Sequence, residues 1–332
     1  MNKQNQSHDE FSANSDPEVT PFSLPPEQVQ IAVDVADVQQ AEEAQAEAQL
    51  PLPQFNPPVN GVKITCDTTG NTYTIADFIG GGQFGMVYSC TDVWQNQLAA
   101  KVLRPRGTYD EIKNAAILEA QKLITLRHPF ITHVHDAFEY EHTFYIITEK
   151  CWTPVSSLLE NDQLNGQLWV LPIARCLLQA VQYLHNQGYA HQDIHAGNVF
   201  TAFHRDELSD RQDALTFKLG DLGIAKLVQD IDGTNTMLNE SIVPPEYLAP
   251  EKFGALDRRI DIYHCGLLFL QLMHSRELNF SSQEILDGLP RRMAEKLPAP
   301  YANAISKALR RHPEARTASA MEFWSDLTSE VT

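Results

Sequence analysis

The 332-residue chain has no C-x-x-C pair, no long apolar run and no excess of basic residues, and each absence removes a class of function. Its five cysteines, Cys66, Cys90, Cys151, Cys176 and Cys265, are odd in number and scattered, which excludes a disulfide framework or a cysteine-based zinc site and predicts reduced thiols. The most apolar stretch, Gly266 to Met273, interrupted only by Gln271, is far too short to cross a bilayer. Met1 to Phe11 lacks the apolar core of a secretion signal, so neither a leader nor a membrane anchor is expected, and a cytoplasmic setting fits best. With 25 bases against 43 acids the formal charge is −18, a field that repels nucleic acid and anionic membranes and excludes them as the main partner.

Half of that excess is local. The first 60 residues hold ten acids, one base (Lys3) and no glycine, while Pro17, Pro21, Pro25, Pro26, Pro51, Pro53, Pro57 and Pro58 interrupt any regular element. This stretch reads as an acidic, Pro/Gln-rich disordered tail. Within it Val29, Ile31, Val33 and Val35 alternate as a strand would, and the run Ala41 to Gln49 favours helix.

Order is predicted from about residue 61. Val62 to Cys66 and Thr72 to Ile75 flank the turn-rich segment Asp67 to Asn71, which predicts a hairpin. Short strands follow to about Lys150, interrupted by one helical stretch, Tyr109 to Leu126. Helices dominate beyond that, with Ile173, Leu177, Ala180, Val181 and Leu184 at helical spacing and Gly188 placed as a C-terminal cap. The pattern implies an α+β fold of two lobes, about 61–150 and 151–328, with a ligand cleft between them.

Three groups of residues carry chemistry. Ile79-Gly80-Gly81-Gly82-Gln83-Phe84-Gly85-Met86-Val87 is a G-x-G-x-x-G-x-V run, in which bare backbone can approach phosphates. The same glycines can open a dinucleotide-binding helix, but no apolar helical stripe follows Val87, so a strand-turn-strand lid is expected. Ala99 and Lys101 then lie on an apolar strand, and Glu119 falls on the helical stretch as a counter-charge for the lysine. The third group is His191-Gln192-Asp193-Ile194-His195-Ala196-Gly197-Asn198-Val199-Phe200, followed by Lys218-Leu219-Gly220-Asp221-Leu222-Gly223.

In this order the motifs resemble the protein kinase family over roughly residues 73–328. His191-Gln192-Asp193 stands for its H-R-D, Asn198 for its metal-binding asparagine, and Asp221-Leu222-Gly223 for its D-F-G. The resemblance implies a bilobal kinase fold with one regulatory helix in the small lobe, using ATP and Mg2+ (with Mn2+ as an alternative ion) on a protein substrate. It implies Asp193 as catalytic base, Lys101 on the α and β phosphates with Glu119 orienting it, His195 in place of the lysine aimed at the transferring phosphate, and Asn198 and Asp221 as metal ligands. ATP contacts are implied for Ile79, Gly80, Gly82, Phe84, Gly85, Val87, Ala99, Lys101, the gatekeeper Thr148, the hinge residues Glu149 and Cys151, and Phe200. Ala249-Pro250-Glu251 stands for the A-P-E motif, Asp261 for the aspartate opening the buried helix of the large lobe, and Arg316 for the arginine that pairs with the A-P-E glutamate.

Four departures bear on use. Gln192 replaces an arginine that grips an activation-loop phosphate, so phosphorylation at Thr234, Thr236 or Ser241 is not expected to be required. His195 is a weaker electrostatic partner than lysine, Leu222 is a smaller plug than phenylalanine, and Pro244 stands where Ser/Thr kinases carry a threonine, as tyrosine kinases do. Ser/Thr specificity is favoured on family frequency, with Tyr or dual activity behind it. Two other readings compete: a small-molecule phosphotransferase, because H-x-D-x-H-x-G-N also resembles aminoglycoside and choline kinases, and a pseudokinase scaffold. Oligomeric state is not readable.

Overall fold

The computed structural model describes residues 57–82, 85–104, 124–161, 163–205, 213–222, 226–227 and 242–329. The expected tail elements, Phe84, Glu119, nearly all of the helical stretch Tyr109 to Leu126, and the sites Thr234, Thr236 and Ser241 lie outside these residues.

Alternation in the first half of the chain builds a sheet. Strands β1 (Lys63–Thr65), β2 (Thr72–Gly82), β3 (Gly85–Thr91), β4 (Gln97–Leu103), β5 (Val134–Tyr140) and β6 (Thr143–Glu149) form one antiparallel sheet in the order β1-β2-β3-β4-β6-β5. Side chains alternate across the pleat. Thus Leu98, Ala100 and Val102 of β4 and Tyr145 and Ile147 of β6 join Ile64, Tyr73, Ile75, Tyr88 and Cys90 in a small core. The intervening Ala99, Lys101, Ile146 and Thr148 take the opposite face. The expected hairpin is present, with Lys63 opposite Thr74 and Thr65 opposite Thr72. It is tied to the far edge of the sheet by Asp136, which accepts hydrogen bonds from Thr69 Oγ1 (2.9 Å), Tyr73 Oη (3.0 Å) and Asn71 Nδ2 (3.3 Å).

The second half is mainly helical and holds the larger core. After the short α1 (Val155–Leu159), α2 (Gln167–Asn186) buries the whole predicted stripe of Ile173, Leu177, Ala180, Val181 and Leu184. Gly188 follows it at φ +81°, a left-handed value suited to the predicted cap, and donates its N–H to the His185 carbonyl. The short strand β7 (Tyr189–Ala190) pairs with β10 (Lys226–Leu227), while β8 (Val199–Arg205) and β9 (Asp213–Leu219) form a hairpin. Past the short helices α3 (Pro245–Leu248) and α4 (Pro250–Phe253) comes α5 (Arg259–His274), with thirteen of its sixteen residues buried. A helix buried on every side is a central pillar rather than a surface element. Helices α6 (Ser282–Leu286), α7 (Leu289–Ala294), α8 (Tyr301–Ala308) and α9 (Ala320–Thr328) complete the helical part.

Candidate active site

The glycines of the run lie on two paired antiparallel strands. Gly80 lies opposite Val87 and Gly82 opposite Gly85 across β2 and β3, which disposes of the dinucleotide-helix alternative. Gly85 is dictated by close approach: a Cβ there would stand 2.2 Å from the Val102 carbonyl oxygen of β4. The next strand carries Lys101 opposite Val87, and its Nζ reaches Asp221 Oδ1 at 2.5 Å. The two side chains are 16% and 28% exposed, so the pair is only partly screened by solvent. Asp221 takes a left-handed backbone, φ +53°, which an aspartate tolerates better than a bulky residue.

The loop from His191 to Asn198 is held from below by Asp261 at the start of α5. Asp261 Oδ2 accepts from the His191 backbone N–H (2.9 Å) and from His185 Nε2 (2.8 Å), and Oδ1 accepts from the Gln192 N–H (2.8 Å). Full burial opposes the charge, but the His185 bond and these donors hold the carboxyl below the usual range, so it stays ionised. His191 Nδ1 accepts from the Asp193 N–H, which leaves the ring proton on Nε2 to donate to the Gly220 carbonyl at 3.0 Å. One histidine therefore links the Asp193 loop to the Asp221 turn.

Around Asp193 the side chains converge. Asn198 Nδ2 donates both to the Asp193 carbonyl (2.9 Å) and to Asp193 Oδ2 (3.0 Å). With the amide nitrogen committed, the oxygen of Asn198 is the group left to offer a cation, and together with the carboxylate of Asp221 it would be a hard-oxygen donor pair of the kind Mg2+ takes. His195 Nδ1 accepts from the Gly197 N–H at 3.1 Å, so its proton sits on Nε2, 3.7 Å from Asp193 Oδ2. A side chain at Gly197 would meet that ring, its Cβ 2.8 Å from His195 Cε1. Asp193 Oδ1 is buried and has no hydrogen-bond partner among the described residues.

Thr148 ends up opposite Ala99, beside the lid. The carboxylate of Glu149 turns away from the cleft, to Lys218 Nζ (2.7 Å) and the His133 N–H (2.7 Å), so any adenine contact by this residue is a backbone one. Burial pushes the Cys151 thiol up to about 11, keeping it protonated at neutral pH. Phe200, on β8, is half-buried and bridges to Pro154, Leu222 is buried in the large core, and Ile79 is exposed on the lid.

One expectation is corrected. Arg316 pairs with Glu246, not with Glu251: its Nη1 and Nη2 donate to the two carboxylate oxygens at 2.6 and 2.5 Å, both side chains being fully buried. Glu251 is exposed. The segment before α5 offers Pro-Glu twice, in Pro244-Pro245-Glu246 and in Ala249-Pro250-Glu251, and only the first copy lies within the pocket. That pocket is built by the Tyr263 ring, 4.7 Å from the guanidinium, and by the carbonyls of Arg259, Arg310 and Arg311. Pro244 then belongs to the glutamate-bearing turn itself, and its comparison with a threonine loses its basis.

Sequence reasoning also missed Lys218 and His264. Lys218 is a single lysine in an apolar strand, the very signal that singled out Lys101, and Glu149 satisfies it. His264 has no such signal: it is one polar residue of a long helix, fully buried, with neither ring nitrogen partnered among the described residues. Burial drives its pKa down to about 4, against the opposing fields of Asp261 and Asp193. Because the folded pKa lies below the unfolded one, this group's contribution to stability is intact above about pH 6.5 and is lost as pH falls toward 4. The loss is on the order of 3 kcal/mol. Urea titrations across that window should show the parent weakening relative to His264→Phe, and parallel pH curves would refute the assignment.

A glycine-bearing strand pair, a strand lysine paired with Asp221 and a loop held on a buried helix through Asp261 make up a kinase-type phosphotransferase fold. The Protein kinase domain model matches residues 73–327, and the chain belongs to the protein kinase family, with a β-sheet lobe followed by a helical one. Among curated proteins it is 28% identical over 204 residues to serine/threonine-protein kinase TIO of Arabidopsis thaliana, covering 60% of this chain and 14% of that one. It is 25% identical over 258 residues to serine/threonine-protein kinase TAO2 of Xenopus laevis, covering 73% and 24%. The match thus spans less than a quarter of the length of either relative. The PknI kinase domain of Mycobacterium tuberculosis shares the fold, with a TM-score of 0.55 at 21% identity over 82% of this chain and 98% of that domain.

Proposed function

We propose that the chain is an ATP-dependent protein kinase that phosphorylates Ser/Thr hydroxyls. The observation that carries this reading is that Lys101 stands 2.5 Å from Asp221 and Asn198 is bonded to Asp193, while His191 joins the Asp193 loop to the Gly220 carbonyl next to Asp221. Asp193 takes the proton of the attacking hydroxyl as that oxygen bonds to the γ-phosphorus, and the bond to the β-γ bridging oxygen breaks, its electron pair leaving with ADP. Asn198 and Asp221 would hold Mg2+, which would offset the charge of the phosphates. Lys101 orients the phosphates, and the His195 Nε2–H, beside Asp193 Oδ2, donates to the transferring group. Val87, Ala99 and Phe200 would line the adenine site.

The Ser/Thr preference is supported by the names of the similar proteins, and a protein acceptor by the buried Glu246–Arg316 pair, which braces the segment that a peptide-binding platform needs. A cytoplasmic setting fits the scattered cysteines. Labelled ATP offered with a panel of proteins and, separately, aminoglycosides tests the whole reading. The expected outcome is label on serine and threonine of proteins, lost in Asp193→Ala. Label on aminoglycosides alone would make the chain a small-molecule kinase, and no transfer in any arm would make it a scaffold.

A further inference from the structure

Glu149 ends β6, and the chain then crosses from the sheet to the helical part through Lys150 to Pro154. The far end of this crossover is fastened to β8: the Trp152 N–H donates to the Thr201 carbonyl at 3.0 Å, and the Thr201 N–H donates to the Thr153 carbonyl at 2.9 Å. The near end is fastened by a charge. Glu149 Oε1 accepts from the His133 N–H, and both carboxylate oxygens accept from Lys218 Nζ, every one of these bonds being 2.7 Å long. The Lys218 and Glu149 side chains are 10% and 27% exposed, so solvent screens the pair only in part.

Lys218 lies on β9 directly opposite Phe200 of β8. Its bond to Glu149 therefore ties the start of the crossover to the strand position opposite Phe200, a residue of the adenine site. The stretch that follows Lys218 is held by other means. The Leu219 N–H donates to the Phe130 carbonyl (2.8 Å), the Leu219 carbonyl accepts from the Thr132 N–H (2.9 Å), and the Gly220 carbonyl accepts from His191. The turn that carries Asp221 thus keeps its restraints without the ammonium. A partly buried ion pair is seldom the cheapest filling for such a place, since an apolar side chain of similar volume needs no desolvation of charge. What the pair adds over packing is a fixed distance between two elements.

We propose that Lys218 is a positioning residue for the nucleotide base: through the Glu149 carboxylate it fixes the crossover backbone, which receives adenine, in register with Phe200. This rests on the kinase reading of the crossover as the adenine site. The effect falls on base binding and not on phosphoryl transfer, because Lys218 touches neither Lys101 nor Asp193 and the Asp221 turn is restrained independently of it.

The test compares Lys218→Met, which keeps the stem and removes the charge, with Lys218→Arg, whose fork can still take both Glu149 oxygens. A cavity of about 280 Å3 against the pair, lined by Leu126, Arg127, His128, Ile131 and His133, gives the larger guanidinium room. Melting temperature, kcat and KM for ATP are measured with one protein acceptor, and the Kd of adenosine is measured by calorimetry without an acceptor. The Met variant should melt within a few degrees of the parent, keep kcat within about twofold and raise both KM for ATP and Kd for adenosine about tenfold, while the Arg variant recovers most of both. Adding Glu149→Gln to Lys218→Met should weaken adenosine binding little further, since the two changes break one interaction. A parental Kd for adenosine in the Met variant, a loss that Arg does not reverse, or a fall in kcat at constant KM would overturn the proposal and leave Lys218 a structural residue. If the Met variant does not fold, Glu149→Gln alone is judged by the same criteria. A parent that binds adenosine without transferring phosphate removes the kinase reading and leaves this inference to be decided by Kd, whereas a parent that binds no adenosine removes the adenine site and this inference together.

Discussion

Replacing Lys101 with methionine should lower ATP turnover by about a thousandfold, equivalent to about 4 kcal/mol of barrier, while the melting temperature moves by only a few degrees. Methionine keeps the length and apolar stem of lysine and removes only the charge. Lys101 sits on β4 with its stem on the cleft face, outside the small core of the sheet, so its loss opens no cavity. Asp221→Asn should give a loss of the same size. Asparagine is the better probe than alanine here, because residue 221 holds a left-handed backbone, φ +53°, that asparagine also tolerates. The two groups meet at 2.5 Å, so they are not independent, and the double variant should fall little below either single one. Turnover within a few-fold of the parent in either variant would overturn the assignment of this cluster as the phosphate and metal site.

The parts legible in the sequence were those in which a residue type is forced by backbone or by charge. The glycine run is legible as backbone that must stay bare, although the close neighbour that the structure shows at Gly85 is the Val102 carbonyl. The stripe from Ile173 to Leu184 is legible because one helix face repeats every 3.6 residues and all five positions are buried. Asp193, Asn198 and Asp221 are legible as a pattern of types at fixed spacing, although the tautomers of His191 and His195 emerge only from the donors around them. What stayed hidden depends on three-dimensional choice among equals. Lys218 and Glu149 are 69 residues apart, and His264 looks like any other member of a buried helix. The two Pro-Glu copies are equivalent locally, and the preference for one is set by Tyr263 and Arg316, far along the chain.

That choice yields the second large effect, on stability. Glu246→Ala should destabilise the fold by roughly 3–5 kcal/mol, because it strands the Arg316 guanidinium at a site where both partners are 0% exposed. Glu251→Ala, on an exposed position of α4, should change stability by less than about 0.5 kcal/mol. The Arg316 carbonyl contacts to Arg259, Arg310 and Arg311 persist in Glu246→Ala, so the cost comes from the unpaired charge rather than from lost packing. Glu246→Gln, which retains the shape and one acceptor, should therefore recover only part of the loss. Removing both charges with Arg316→Met and Glu246→Leu should cost less than the two single changes added together, since no charge is then left buried alone. Equilibrium unfolding in urea reads all six variants: a large loss in Glu251→Ala with a neutral Glu246→Ala would restore the A-P-E glutamate to residue 251 and reject the pairing described for Arg316.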